Sequence, residues 1–171
     1  VYNYFKEASY NQLFWSSIFY PAADSEGKII SYQARNPRGY YEKHSSINPD
    51  GYVDDALGAN KLLREQNLVK ELSDCLDTIV PADAVIDADG NGVIDNICII
   101  VSGRSAIGNS HLLWPHRSTL YTQEGSIQGK KVNEYIMLFD DANGYGSMVT
   151  PLEINTGVLC HEMSHTLGTY D

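Results

Sequence analysis

The stretch VLCHEMSHTLGTYD (158–171) places two histidines, His161 and His165, four residues apart, with Glu162 directly after the first. Four residues make slightly more than one turn of an α-helix, so both imidazoles project from the same face. Two imidazoles in that arrangement can bind one small cation. Glu162 lies about 100° around the helix, where it reaches a water molecule on that cation but cannot be an equal ligand. The spacing predicts a helix over about 152–167 that carries a metal site.

The chemistry that this pattern indicates is zinc-assisted hydrolysis. In H-E-x-x-H sites the histidines hold zinc, the zinc acidifies a water molecule, and the glutamate takes its proton. A catalytic zinc also needs a third protein ligand. Gly168 can end the helix in a left-handed conformation, and Asp171, three residues later, is the predicted third ligand. The alternative is a chance coincidence of these residues on one helix.

A second motif, DADGNGVID (87–95), has the spacing of a calcium-binding loop, with Gly92 at the sharp turn. Ligand positions 1, 3, 5, 7 and 9 of such a loop fall on Asp87, Asp89, Asn91, the Val93 carbonyl and Asp95. The motif departs at position 12, where Cys98 stands in place of a bidentate glutamate. We predict a structural calcium ion that pins this loop to a central strand. An Asx-rich turn without a metal is the alternative.

The hydrophobic pattern of the rest of the chain predicts an α+β fold with α/β layering, a sheet backed by helices. The predicted elements are a helix at VYNYFKEASY (1–10), a strand at LFWSSIFYP (13–21), loops with at most one short strand over 21–51, a helix from 54 to about 80, a buried central strand in NICIIVSG (96–103), a strand within 130–141 and the final helix. The long helix has an apolar face formed by Leu57, Leu62, Leu63, Leu68, Leu72, Leu76 and Ile79, and Pro81 ends it.

Composition limits the classes of protein to which the chain can belong. A length of 171 residues suffices for one domain with a proper core, and the net charge of −10 argues against a nucleic-acid surface. No apolar run approaches the ~18 residues of a membrane helix. The cysteines, Cys75, Cys98 and Cys160, are odd in number and widely spaced, which does not fit a disulfide framework. Cys98 lies in an apolar run and is predicted to be a buried free thiol.

The two ends of the sequence suggest a segment of a longer protein. The chain begins at Val1 without a signal-peptide pattern, so we expect any export signal to lie upstream. Nothing follows Asp171 to build the walls of a catalytic cleft. We therefore expect a further C-terminal subdomain beyond it.

Several other residues are weaker candidates for a site. His116, in LLWPHRS, is more often a structural histidine than a functional one, and His111 and His44 rank below it. Tyr170 either covers the helix end or donates a hydrogen bond to a reaction intermediate, and the first is the simpler interpretation. The strand around 132–139 is either a sheet edge to which a peptide substrate adds as an extra strand, or an ordinary core strand.

HEMSHTLGTYD (161–171) fits the extended H-E-x-x-H-x-x-G-x-x-(H/D) signature of metzincin-type zinc proteases, with aspartate in third place. Within that class the chain resembles the immune-inhibitor-A-like secreted bacterial metalloproteases. The shared features are YFKEASYNQL (4–13), DADGNGVIDN (87–96) before an apolar strand, and WPHRS (114–118).

The resemblance implies one zincin-like, metzincin-type catalytic domain over 1–171, with a twisted mixed sheet backed by the 54–80 helix. It implies zinc ligation by His161, His165 and Asp171, with Glu162 as general base. It also implies a calcium site at Asp87, Asp89, Asn91 and Asp95, a protein or peptide substrate, a propeptide in the precursor, and export from a bacterial cell. Two rival hypotheses are a non-catalytic, calcium-stabilised binding module and a zinc peptidase whose third ligand is a glutamate beyond Asp171.

Overall fold

The computed structural model describes residues 1–103, 112–140 and 156–170. The helices are α1 (Tyr2–Ala8), a short 3-10 helix (Arg38–Tyr41), α2 (Ala59–Ile79) and α3 (Thr156–His165). The strands are β1 (Cys98–Val101), β2 (His116–Thr119), β3 (Gly125–Ile127), β4 (Lys130–Val132) and β5 (Glu134–Phe139). Within these ranges, no helix has both the length and the apolar character that crossing a membrane requires.

Strand β5 lies at the centre of a three-stranded sheet, between β1, which is parallel to it, and β2, which is antiparallel. Residues 135–139 are each at most 7% exposed, so both faces of this strand are covered. Alternate side chains of a strand point to opposite faces. Tyr135, Met137 and Phe139 belong to the core that contains residues of α2. Ile136 and Leu138 belong to a second core with residues of α1 and α3. The predicted mixed architecture, with helices layered on a sheet, is confirmed at this level.

The predicted long helix is also confirmed, but its start lies at Ala59 and not at Asp54. Asp55 remains outside the helix, where its carboxylate accepts hydrogen bonds from the backbone N–H groups of Ala59 and Asn60, both at 2.8 Å. These bonds satisfy donors that a helix start leaves unpaired. At the other end Val80 has an extended backbone, the conformation that a following proline, here Pro81, favours.

The buried face of α2 differs from the predicted leucine stripe. It consists of Glu65, Gln66, Leu68, Val69, Glu71 and Ser73, whereas Leu57 is 92% exposed. Gln66 explains part of this difference, because its side chain joins α2 to the end of β2. Its Nε2 donates to the Thr119 carbonyl at 2.8 Å, and its Oε1 accepts from the Thr122 N–H at 2.7 Å. Polar residues thus bind α2 to the sheet, and the spacing of the leucines does not predict these contacts.

Two strand predictions were wrong in detail. The segment 13–21 forms no strand, and its Phe14 and Phe19 are 58% and 74% exposed. Its buried contact is instead with α1, through the stacking of Trp15 on Phe5 at 5.4 Å between ring centroids. Strand β1 was predicted to be central and buried, but it is an edge strand of the described sheet. Cys98 at its start is accordingly a free cysteine, as predicted, but an exposed one.

The position of the 132–139 segment also needs correction. Residues 134–139 form β5, which is paired on both sides and has no edge to offer a peptide. The reading as an ordinary core strand is therefore the right one. In the described sheet, the strand next to α3 with an unpaired side is β2.

Candidate metal centre

Helix α3 is positioned by the two faces of its own sequence. Cys160 and Met163, three residues apart, are 8% and 4% exposed and pack in the core beneath β5. His161 and His165, four residues apart, are exposed and half-buried respectively, so they project away from that core. The predicted helix is confirmed over Thr156–His165, while its predicted first turn at 152–155 lies outside the described residues.

The two histidines are arranged as ligands of one ion. Their Nε2 atoms are 3.3 Å apart, and their rings are nearly perpendicular at 83°. Two nitrogens each bound to a tetrahedral zinc at 2.0–2.1 Å lie about 3.3 Å from one another. A carboxylate oxygen of Glu162 lies within 4.8 Å of both histidines' ligand atoms, and this side chain is buried. The donor atoms therefore fit a zinc ion, with Glu162 beside it.

The turn after α3 fixes the orientation of the second imidazole. Nδ1 of His165 lies 3.0 Å from the Thr169 carbonyl, a contact that assigns the ring proton to Nδ1. The Nε2 lone pair is then available to a metal. Gly168, with φ +89°, provides the left-handed residue that brings the chain back over the helix end, as predicted. Asp171 lies outside the described residues, so its role as third ligand stays a prediction.

A cavity of about 770 Å³ opens over the two histidines. One wall is formed by 114–117 and the other by Gly157, Val158 and the motif residues of α3, and 168–170 also line the cavity. His116 thus lines the cavity, although the sequence analysis favoured a structural role for it. Tyr170 borders the cavity but is 96% exposed, whereas His44 lies elsewhere on the surface. His111 lies outside the described residues.

Behind the cavity wall, three ionisable side chains from different elements meet. His116 Nε2 is 2.9 Å from Oε1 of Glu65, and the Tyr135 hydroxyl donates to the same oxygen at 2.5 Å. Burial opposes the charge on the imidazole, but the hydrogen bond and charge of Glu65 outweigh it and raise the pKa of His116. Burial likewise opposes ionisation of Glu65, yet the His116 contact outweighs it and lowers the Glu65 pKa. Burial, and then the adjacent carboxylate, raise the pKa of Tyr135.

Sequence reasoning did not single out Glu65 or Tyr135. One signal was present for the glutamate, because it stands three residues before Leu68 and seven before Leu72, on the helix face that is buried. An ionisable residue on a buried face needs a partner. The identity of that partner, 51 residues away, could not be read from local spacing.

The predicted calcium loop also gathers possible ligands. Carboxylate oxygens of Asp87, Asp89 and Asp95 all lie within 4.8 Å of one another. Oxygens bound to one Ca²⁺ at 2.3–2.6 Å lie at most about 5 Å apart, so this group fits that ion. The Lys130 ammonium lies 3.4 Å from one of these carboxylates, Asp87. Three carboxylates beside one ammonium leave negative charge that a divalent cation would offset.

The loop holds its shape through bonds to its own backbone and to a neighbouring strand. The Asn91 N–H donates to both Asp87 and Asp89 at 3.0 Å, and the Asn91 side-chain oxygen accepts from the Val93 N–H at 2.8 Å. Backbone bonds of 2.9 Å connect Lys131 of β4 with Gly92 and Ile94. We had predicted that the loop is attached to the central strand. These hydrogen bonds attach it instead to the β3–β4 hairpin. Ligation by Asn91 and by the Val93 carbonyl stays a prediction.

A comparison with protein-family models identifies the chain. The model described as "Immune inhibitor A peptidase M6, catalytic domain" matches residues 71–171, more than half of the sequence. The chain belongs to the immune inhibitor A peptidase family. The match spans the loop 87–95, the strands β1–β5 and the α3 motif. It supports a peptidase, hence a hydrolase that acts on proteins or peptides. Family M6 membership also implies a metal, and the His161–Glu162–His165 group can hold one. No curated protein and no solved structure matches the chain significantly.

Proposed function

We propose that this member of the M6 family is a zinc-dependent endopeptidase in which Glu162 is the general base. The observation that carries the proposal is the 3.3 Å separation of the His161 and His165 Nε2 atoms, beside the buried Glu162 carboxylate, within one cavity. Two neutral imidazoles and an adjacent carboxylate are the groups that zinc-assisted hydrolysis requires.

His161 and His165 would hold the zinc, with Asp171 as the proposed third ligand. Gly168, Thr169 and Tyr170 already border the cavity, and Asp171 is the next residue in the chain. When bound, zinc supplies Lewis-acid polarisation of the substrate carbonyl and of the attacking water. The Nδ1 contact of His165 with Thr169 keeps that imidazole in the orientation that ligation needs.

Glu162 moves the proton in the proposed reaction. Its carboxylate accepts a proton from the attacking water as the water oxygen bonds to the carbonyl carbon. The same proton is then delivered to the amide nitrogen as the C–N bond breaks, so that a carboxylic acid and an amine are released. Burial of Glu162 to 8% exposure limits the bulk water that competes for this proton.

Strand β2 is the proposed support for the substrate backbone. Within the described residues β2 is paired on one side only, and its His116 and Arg117 line the cavity. An extended peptide can pair with such an edge through main-chain hydrogen bonds. This arrangement would place a scissile bond between β2 and α3.

The proposal includes features that the family resemblance implies. These are a metzincin-like zincin architecture, a structural calcium ion at Asp87, Asp89 and Asp95, a propeptide in the precursor, and export from a bacterial cell. The layering of α2, the sheet and α3 supports the first, and the converging carboxylates support the second. Export and the propeptide rest on the resemblance alone.

The test is hydrolysis of casein or a quenched peptide by the mature protein extended beyond Asp171. We expect Glu162→Gln to lower kcat by about 10²- to 10⁴-fold while zinc content is unchanged. The matched control is Glu7→Gln, which changes an exposed glutamate of α1 and should leave activity intact. A folded, zinc-loaded wild type without activity would favour the non-catalytic binding module instead.

A further inference from the structure

The imidazole of His116 has an acceptor at each ring nitrogen. Its Nε2 lies 2.9 Å from Oε1 of Glu65, and its Nδ1 is within hydrogen-bonding distance of the Trp114 carbonyl oxygen. A neutral imidazole carries only one N–H, so it could satisfy one of these acceptors and would turn a lone pair toward the other. The imidazolium satisfies both. The geometry therefore indicates a histidine held in its charged form.

The partner of His116 is a carboxylate with no alternative source of positive charge among the contacts described for it. Glu65 is 3% exposed, and its other hydrogen bonds come from the neutral Tyr135 hydroxyl and from the Leu113 N–H at 3.4 Å. Burying an anion is costly unless it is paired with a cation. The raised pKa of His116 and the lowered pKa of Glu65 agree with an ion pair.

This ion pair is oriented relative to the cavity. The His116 side chain is 28% exposed and lines the cavity, whereas the Glu65 side chain is 5% exposed and lies behind it, on α2. The positive end of the pair therefore faces the space above α3, where Glu162 lies. The neighbouring cation, Arg117, is paired with Glu134 at similar exposure, so it shows no such orientation.

We propose that the Glu65–His116 pair is a positioning element of the active site, which fixes β2 against α2 and turns a positive charge toward the reacting carbonyl group. Negative charge develops on the carbonyl oxygen as water attacks, and a fixed dipole aimed at that charge stabilises the transition state more than the substrate. The inference rests on the proposed peptidase function. His116 acts through its field and not by contact, because both of its nitrogens are engaged.

The first test reads the charge of His116 without reference to activity. In the zinc-loaded full-length protein, ¹⁵N NMR of the histidine rings at about pH 7 should show both His116 nitrogens protonated, although a free histidine is mostly neutral there. The signal is assigned by its absence from His116→Gln. A single protonated nitrogen would overturn the proposal.

The second test separates charge from packing. In His116→Gln the amide can still donate to Glu65 but has no charge, and we expect kcat to fall about 10-fold or more with KM nearly unchanged. In His116→Lys the charge is kept, and kcat should recover most of that loss. His44→Gln, at an exposed histidine outside the cavity, is the matched control.

Two results would overturn the proposal: equal losses of kcat in the Gln and Lys variants at equal Tm and zinc content, or a loss confined to KM. If the wild type has no peptidase activity at all, the proposed function fails. The NMR experiment distinguishes that failure from failure of the ion pair, because it reads the protonation of His116 directly.

Discussion

Helix α3 and the loop 87–95 each bring three possible metal ligands within 4.8 Å of one another, but the two regions reach this geometry differently. The α3 group is placed by tertiary packing, because Cys160 and Met163 fasten the helix beneath the sheet. The loop group is placed by local hydrogen bonds, among them those of Asp87 and Asp89 to the Asn91 N–H. One site depends on the whole fold, and the other largely on nine consecutive residues.

The two groups also differ in what an ion does for them. A histidine binds a metal as the neutral imidazole, so His161 and His165 do not bring two anionic ligands together. Three carboxylates repel one another, so the loop gains stability from a cation that offsets their charge. We therefore expect metal at α3 to control chemistry and metal at the loop to control stability.

The largest expected effect is the loss of activity when α3 loses a ligand. Replacing a residue that only hydrogen-bonds to a metal ligand typically lowers metal affinity or activity about 10- to 100-fold. His165 is a proposed ligand itself, so His165→Ala should lower activity by more than about 100-fold. Its free energy of unfolding should change by less than about 1 kcal/mol, because the half-buried ring makes few core contacts. Peptide hydrolysis, zinc content and urea denaturation measure the three quantities. A large loss of stability with zinc retained would contradict the contrast between the sites.

Local spacing explains why the motif helix and the carboxylate loop could be predicted. His161 and His165 share a face because of the helix period, and the loop is a contiguous pattern. The start of α2 was misplaced because Asp55 lies ahead of the helix, where its carboxylate accepts hydrogen bonds from the first N–H groups of α2. A charge near a helix end does not by itself distinguish this role from a place in the first turn.

The cavity wall could not be predicted, because it depends on long-range pairing. His116 and Glu65 are 51 residues apart, and Tyr135 and Glu65 are 70 apart. The same limitation explains the error at 13–21, where an apolar run suited to a strand has no strand partner and packs on α1 through Trp15. A periodic pattern shows that a segment buries one face, but not which neighbour covers it.

The second effect in size is the dependence of stability on calcium. A ligand present at about 100 times its Kd stabilises a protein by about 2.7 kcal/mol. We expect calcium to raise the Tm of the wild type relative to EGTA, and Asp89→Asn to lose most of this increase. Asp83→Asn is the control, because Asp83 is exposed and does not belong to the cluster of three aspartates in the loop. An equal calcium response in all three proteins would show that the ion binds elsewhere.

The smallest expected effect is the pH dependence that the Glu65–His116 pair gives to stability. The pKa of His116 is raised above its ordinary 6.5, so its contribution is complete below that value and is lost as the pH rises through the folded-state pKa. The pKa of Glu65 is lowered below its ordinary 4.5, so its contribution is complete above that value and is lost as the pH falls through the folded-state pKa.

The difference in free energy of unfolding between wild type and His116→Gln should therefore be greatest between about pH 4.5 and 6.5 and shrink on either side. Urea denaturation of both proteins at saturating calcium, from about pH 3 to about pH 9 so that both flanks of the maximum are covered, measures it. The change with pH should be modest because the His116 side chain is 28% exposed and solvent screens part of the attraction. A difference that stays constant across the range would mean that His116 stabilises the cavity wall by packing and not by charge, and that this wall carries no ion pair.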